Sequence, residues 1–229
     1  KTFWNTSRIH HIRDRSCSSQ LLPGGQVMKV VVVTGGIGSG KSAVCRIMRD
    51  KGWTAQYNAE ARVKALYAEK DGLLDSLETS LGCVLREDGT FKPHLLAKVI
   101  FSDSEALKKV EALVFPALLE DFEIFRKANA EADIIIFESA TILEKPQFDG
   151  FGDVTVLVDA PLQIRLERAC KRDMASAEAV QARMASQPLM NSLSQGNTDP
   201  RVDFVLANTS SLAELEREVE ILMLNIHKQ

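Results

Sequence analysis

Apolar residues in this chain come in short, unalternating runs, each followed by a stretch of helical spacing. "VVVV" (Val30 to Val33), "DIIIFE" (Asp133 to Glu138) and "VTVLVD" (Val154 to Asp159) are rich in β-branched residues and hold few polar ones before their ends. A strand with two apolar faces is buried on both, as in a parallel sheet. "VDFVLAN" (Val202 to Asn208) is a fourth candidate, and "AQY" (Ala55 to Tyr57), after the Gly52 turn, is a short fifth. Helical spacing fills about Gly40 to Asp50, Ser104 to Ala128, Pro161 to Arg172, Ser176 to Gln187 and Ser211 to His227. This alternation predicts an α/β fold with three layers around a parallel sheet. Two helical stretches interrupt it, at about residues 61–126 and 168–191. No internal repeat or low-complexity segment is present.

Composition narrows the class. The 229 residues, 45% of them hydrophobic, suffice for one large domain or two small ones. A net charge of −3 gives no sign of a nucleic-acid or membrane surface. Cys17, Cys45, Cys83 and Cys170 lie far apart and form no C-x-x-C pair, which fits a reducing cytoplasm better than disulfides or zinc. No apolar run reaches the roughly 18 residues of a membrane span, so a soluble intracellular protein is expected. The first 27 residues stand apart: Arg- and Ser-rich, acid-poor, ending in Pro23-Gly24-Gly25, with no apolar core of a secretory signal. They are expected to be a disordered extension ahead of Met28, where the folded part begins.

The decisive stretch is "VVVVTGGIGSGKSAV" (Val30 to Val44). Gly35, Gly40, Lys41 and Ser42 match G-x-x-x-x-G-K-[ST]. Glycines let successive backbone N–H groups turn inward around an anion. The lysine brings a mobile cation to the outer phosphates, the serine a hydroxyl for Mg²⁺, and the following helix its positive end. The expected cradle is Gly36, Ile37, Gly38, Ser39, Gly40, Lys41, Ser42 and Ala43. A glycine-rich strand–helix turn is the plain alternative, but the flanking strand and helix favour a nucleotide-phosphate site.

Ligands of parallel sheets sit beyond the carboxyl ends of the strands. Glu138 ends "IIIFE" and is placed to hold Mg²⁺ or its water; the plain alternative is a strand-terminal surface glutamate. "YNAE" puts Asn58 and Glu60 at the same edge, where Glu60 could take a proton from an attacking hydroxyl. On spacing alone Glu60 reads better as a first-turn helix residue favoured by the macrodipole. Arg165, Arg168 and Arg172 share one helical face and match phosphoryl oxygens as well as they match a solvated surface. Together these features point to a small-molecule kinase whose region at about 61–126 covers the acceptor and whose basic segment at about 168–191 is a lid. A switching GTPase fits less well, since no N-K-x-D motif appears.

From Met28 onward the chain resembles the dephospho-CoA kinase family. "TGGIGSGKS" (Thr34 to Ser42) is that family's usual loop. "RLERACKRDMASAEAVQARMASQ" resembles its lid signature through Arg168, Arg172, Asp173, Arg183, Met184 and Gln187. "RVDFVLANTSSLAEL" resembles its closing strand and last helix, and "ESATILE" stands in its D-[IV]-P-L-L-[FY]-E place through Glu138 and Glu144. The resemblance implies a P-loop kinase core with a helical acceptor region and a lid, using ATP and Mg²⁺ to phosphorylate the ribose 3′-hydroxyl of dephospho-CoA. It implies Lys41 and Ser42 at the phosphates and metal, Arg168 and Asn208 near the adenine, and Arg172 on the lid side. Two positions depart from the family: Asn58-Ala59-Glu60 replaces D-x-D, and Phe115 stands where histidine precedes proline. An ATP-binding protein with little kinase activity, or a nucleotide-type kinase with another acceptor, are the alternatives. Oligomeric state is left open between monomer and small homo-oligomer.

Overall fold

The computed structural model describes residues 9–11, 28–209 and 211–228. The element order is β1 (Ile9–His11), β2 (Lys29–Thr34), α1 (Lys41–Asp50), β3 (Ala55–Asn58), α2 (Ala59–Glu69), α3 (Leu73–Leu81), β4 (Arg86–Glu87), β5 (Thr90–Phe91), α4 (Pro93–Ser102) and α5 (Ser104–Ala128). It continues with β6 (Ile134–Glu138), β7 (Val154–Asp159), α6 (Leu162–Asp173), α7 (Ala177–Ala185), α8 (Pro188–Ser194), β8 (Phe204–Ala207) and α9 (Leu212–His227). The chain forms two compact units: residues up to 57 together with 131–229, and residues 58–130.

In the first unit the sheet order is β1-β8-β7-β2-β6-β3. β2 runs parallel to β6 and to β7, and β7 parallel to β8. From central β2 the chain passes to β3 and β6 on one side, then to β7 and β8 on the other, and this reversal leaves a crevice at the strand ends. Alternate residues of the strands, among them Val31, Val33, Ile136, Val156 and Leu206, pack against Val44, Met48, Val219 and Leu222 of α1 and α9. On the opposite face Phe137 stacks with Tyr57 at 5.4 Å and meets Phe151 edge-on at 4.6 Å. The runs that read as buried on both faces are so: every residue of β6 and β7 is buried.

The expectation of disorder across residues 1–27 fails at one point. Ile9–His11 pair antiparallel with β8, Ile9 opposite Leu206 and His11 opposite Phe204. The edge of a sheet offers unpaired N–H and C=O groups that any extended backbone can meet. The rest of that extension lies outside the described residues.

In the second unit α5 packs against α2, α3 and α4, burying Val110, Val114, Leu118 and Phe122. Arg62 forks onto Asp121 with Nε and Nη2 at 2.9 and 2.8 Å. β4 and β5 form a hairpin whose turn residues Asp88 and Gly89 both have positive φ, 50° and 74°. That is the primed turn whose twist suits paired strands. Cys45, Cys83 and Cys170 form no disulfide. No described helix is long and apolar enough to cross a membrane.

α9 anchors the sheet unit. It starts with a capping box between Ser211 and Glu214, and its Leu222 is 0% exposed in the core. Leu222→Ala should therefore destabilise the protein by about 2–5 kcal/mol, and Ser211→Ala by about 1 kcal/mol. Urea unfolding of the two variants checks both values and their order.

Candidate active site

The phosphate loop leaves β2 at Thr34 and enters α1 at Lys41. Gly38 and Gly40 sit at φ 77° and 98°, where side chains are strained, and a Cβ on either would lie 2.1 Å from a neighbour, the Arg165 carbonyl and the Asn208 amide respectively. Ser39 N–H closes the turn onto the Gly36 carbonyl at 3.0 Å. The N-cap Gly40 contributes no side-chain bond and the first turn of α1 has no acidic residue. The helix's own first turn therefore places no negative side chain at its positive end.

Register places the acid of the site. Val33 lies opposite Glu138, so the carboxylate ending β6 stands beside the start of the loop. Glu138 is 3% exposed; its Oε1 accepts from Ser42 Oγ at 2.6 Å and its Oε2 from Gln56 Nε2 at 2.9 Å. It is a held carboxylate, not the surface glutamate of the plain alternative. Beneath it Cys45 is buried, and burial with the Glu138 charge pushes its thiol well up, leaving it inert.

The basic segment grips the loop through Ile37. Its N–H donates to Gln187 Oε1 at 3.0 Å, its carbonyl accepts from Arg165 Nε at 3.0 Å, and its side chain joins the small core of Ala169, Val180 and Met184. Asn208 follows β8 and donates through Nδ2 to the Ser39 carbonyl at 2.8 Å, while Arg168 Nη1 donates to the Asn208 carbonyl at 3.1 Å. Glu144 Oε1 accepts from the N–H groups of Leu189 and Met190 at 3.2 and 3.4 Å, at the start of α8.

The three arginines of the predicted common face have separate environments. Arg165 is fully buried against the loop, Arg168 turns to Asn208, and Arg172 is an exposed cation held by Asp173 through Nε and Nη2 at 2.6 and 3.0 Å. Arg183 Nη2 also donates to Asp173, at 2.6 Å. The helix expected over Ser176 to Gln187 is α7, Ala177–Ala185, and Pro188 beyond it opens a further helix, α8, that the spacing did not predict. Glu60 belongs to the second unit, in the first turn of α2, whose N-cap Asn58 accepts from Ala61 N–H at 2.8 Å. Lys41 begins α1 and is half-buried. Sequence reasoning missed Gln56, Asp159 and Ser194. Asp159, as the acid ending "VTVLVD", and the polar residue inside the short strand "AQY" gave signals, and neither pointed to anything specific.

A family model described as dephospho-CoA kinase matches residues 29–214. The chain belongs to the dephospho-CoA kinase family. A curated dephospho-CoA kinase from Porphyromonas gingivalis is 37% identical over 175 residues, covering 76% of this chain and 85% of its own length. One from Thermus thermophilus is 31% identical, with 85% and 90% covered. A crystal structure from Thermus thermophilus superposes with a TM-score of 0.71 at 30% identity, covering 86% of this chain and 97% of that one. A dephospho-CoA kinase from Campylobacter jejuni shares the fold with a TM-score of 0.58 at 24% identity, with 87% and 97% covered. In this member of the dephospho-CoA kinase family, the stretches that resemble the family's loop, strand-end acid, lid and closing strand all lie in the sheet unit.

The Arg172 and Arg183 guanidiniums hold the Asp173 carboxyl well below the usual carboxylate range. A depressed folded pKa stabilises above the unfolded value of about 3.9 and loses that contribution as pH falls through the folded one. The α6–α7 junction should thus weaken only in acid, below about pH 4. Asp173→Asn should remove this part of the acid dependence, read as the change in urea midpoint between neutral pH and about pH 3. An equal change in wild type and variant would exclude the pair.

Proposed function

We propose that this chain transfers the γ-phosphoryl group of ATP to the ribose 3′-hydroxyl of dephospho-CoA, giving coenzyme A. The observation that carries the reading is the Ser42–Glu138 pair at 2.6 Å beside a glycine loop, in a chain of this family. Such a pair is what a kinase of this kind needs at the phosphates.

The loop N–H groups and the α1 end receive the phosphates, and Lys41 neutralises charge on the transferring group. Arg168 and Asn208, joined to each other and to Ser39, are assigned to the adenine side. Arg172 is assigned to the moving charge. Its side chain is 63% exposed, and an exposed ion pair is weak enough for a phosphate to compete with Asp173. Ser42 and Glu138 fit Mg²⁺: both offer hard oxygens, and Gln56 fixes the carboxylate. Bound there, the ion would neutralise the phosphate oxygens and align them. No cluster of three His, Cys, Asp or Glu side chains placed to hold a metal occurs among the described residues. That suits an ion taking its other ligands from phosphates and water. Glu60 is assigned as acceptor of the hydroxyl proton and the unit 58–130 as the acceptor-binding region. Free thiols in the sheet unit support a cytoplasmic setting.

Nucleotide turnover compared with dephospho-CoA, AMP, adenosine and no acceptor tests the substrate. Phosphorylation should require dephospho-CoA, and equal turnover with AMP would overturn the choice. Lys41→Ala should lower kcat by about 10²-fold or more with the fold intact. Glu60→Gln should cost about 10²–10⁴-fold in kcat with ATP binding little changed. Normal turnover of Glu60→Gln beside an inactive Glu138→Gln would move the base to the end of β6.

A further inference from the structure

Arg165 has no part in the reaction outlined above, yet it is 0% exposed and sits at the back of the phosphate loop. From the start of α6 its Nε donates to the Ile37 carbonyl at 3.0 Å and its Nη1 to Ser194 Oγ of α8 at 2.6 Å. Its Nη2 is buried with no hydrogen-bond partner among the described residues. That nitrogen lies against Gly36, where a Cβ would stand 2.0 Å from it, and the Arg165 carbonyl crowds Gly38 in the same way at 2.1 Å. One residue thus meets three consecutive loop residues. Ser194 Oγ also bonds Asp159 Oδ1 at 2.8 Å, so the loop, α8 and the end of β7 are joined through a single guanidinium.

Stability does not account for this arrangement. A buried cation loses its hydration, and an apolar side chain of similar volume commonly does as well or better. Burial lowers the Arg165 pKa and raises that of Asp159, each partly offset by the other's charge. The guanidinium stays protonated even so. What it supplies is geometry: a rigid fork that fixes the Ile37 carbonyl while Gln187 fixes the Ile37 N–H.

We propose that Arg165 is a positioning residue for ATP, holding Gly36 to Gly38 in the anion-receiving conformation and joining that conformation to α8, so that loop and lid bind nucleotide as one body. The inference rests on the nucleotide-phosphate reading of the loop and is independent of the acceptor.

The test measures ATP binding by calorimetry without acceptor, together with KM for each substrate, in variants whose fold is checked by circular dichroism. Arg165→Gln should raise the ATP Kd by about tenfold or more and leave KM for dephospho-CoA within about twofold. Arg165→Lys keeps the charge without the fork and should recover only part of the loss. Ser194→Ala removes one partner and should raise the ATP Kd about threefold. An unchanged ATP Kd in folded Arg165→Gln, or equal rises in both KM values, overturns the proposal. If Arg165→Gln does not fold, Ser194→Ala decides, and an unchanged Kd there overturns it. Wild-type protein that binds ATP but leaves dephospho-CoA unphosphorylated would refute the acceptor assignment and leave this inference standing on its Kd values.

Discussion

The carbonyls of Val158 and Arg165 and the side-chain amide of Asn208 each lie 2.1 Å from where a Cβ would stand on Gly35, Gly38 and Gly40. Three elements, β7, α6 and the end of β8, thus touch the main chain of the loop directly. Any side chain at those glycines would push a neighbouring group away, and the positive φ values add strain of their own. The rest of the site depends on that close approach. Asn208 can reach Ser39, and Arg165 can reach Ile37, only because the loop presents bare backbone to them.

Glu138 shows the same economy from the other side of β2. Both carboxylate oxygens have donors, Ser42 from the first turn of α1 and Gln56 from β3, so the side chain is oriented before any ligand arrives. An acceptor pointed in advance loses little freedom on binding.

Much of this is legible in the sequence because strands buried on both faces need unbroken apolar runs. Val30–Val33 and Ile134–Phe137 have them, Val154–Val158 is broken only by Thr155, and helices α1, α5, α6, α7 and α9 fall close to where spacing puts them. What escapes the sequence depends on neighbours far along the chain. Arg165 shares a stripe with Arg168 and Arg172, and periodicity fixes the stripe without saying that the loop covers one end of it. Gln56 meets Glu138 across 82 residues of separation, through a strand order that no local pattern encodes. β1 joins β8 by strand pairing, which any extended backbone can make at a sheet edge, so no local pattern marks it. Pro188 was visible, and its meaning as a helix start came only with the second helix beyond it.

The docking of α9 on the start of the sheet unit also bears on the order of assembly. Trp53 Nε1 donates to His227 Nε2 at 3.0 Å across 174 residues, and Lys29 Nζ to the Ile226 carbonyl at 3.3 Å across 197. Contacts so distant close large loops and form slowly. Residues 58–130, by contrast, form a contiguous unit built on neighbours in sequence. On a ribosome that inserted unit can gather as soon as it emerges. The helix behind the glycine loop, made earlier, packs on β2 and β6 but must wait for α9 to complete its core.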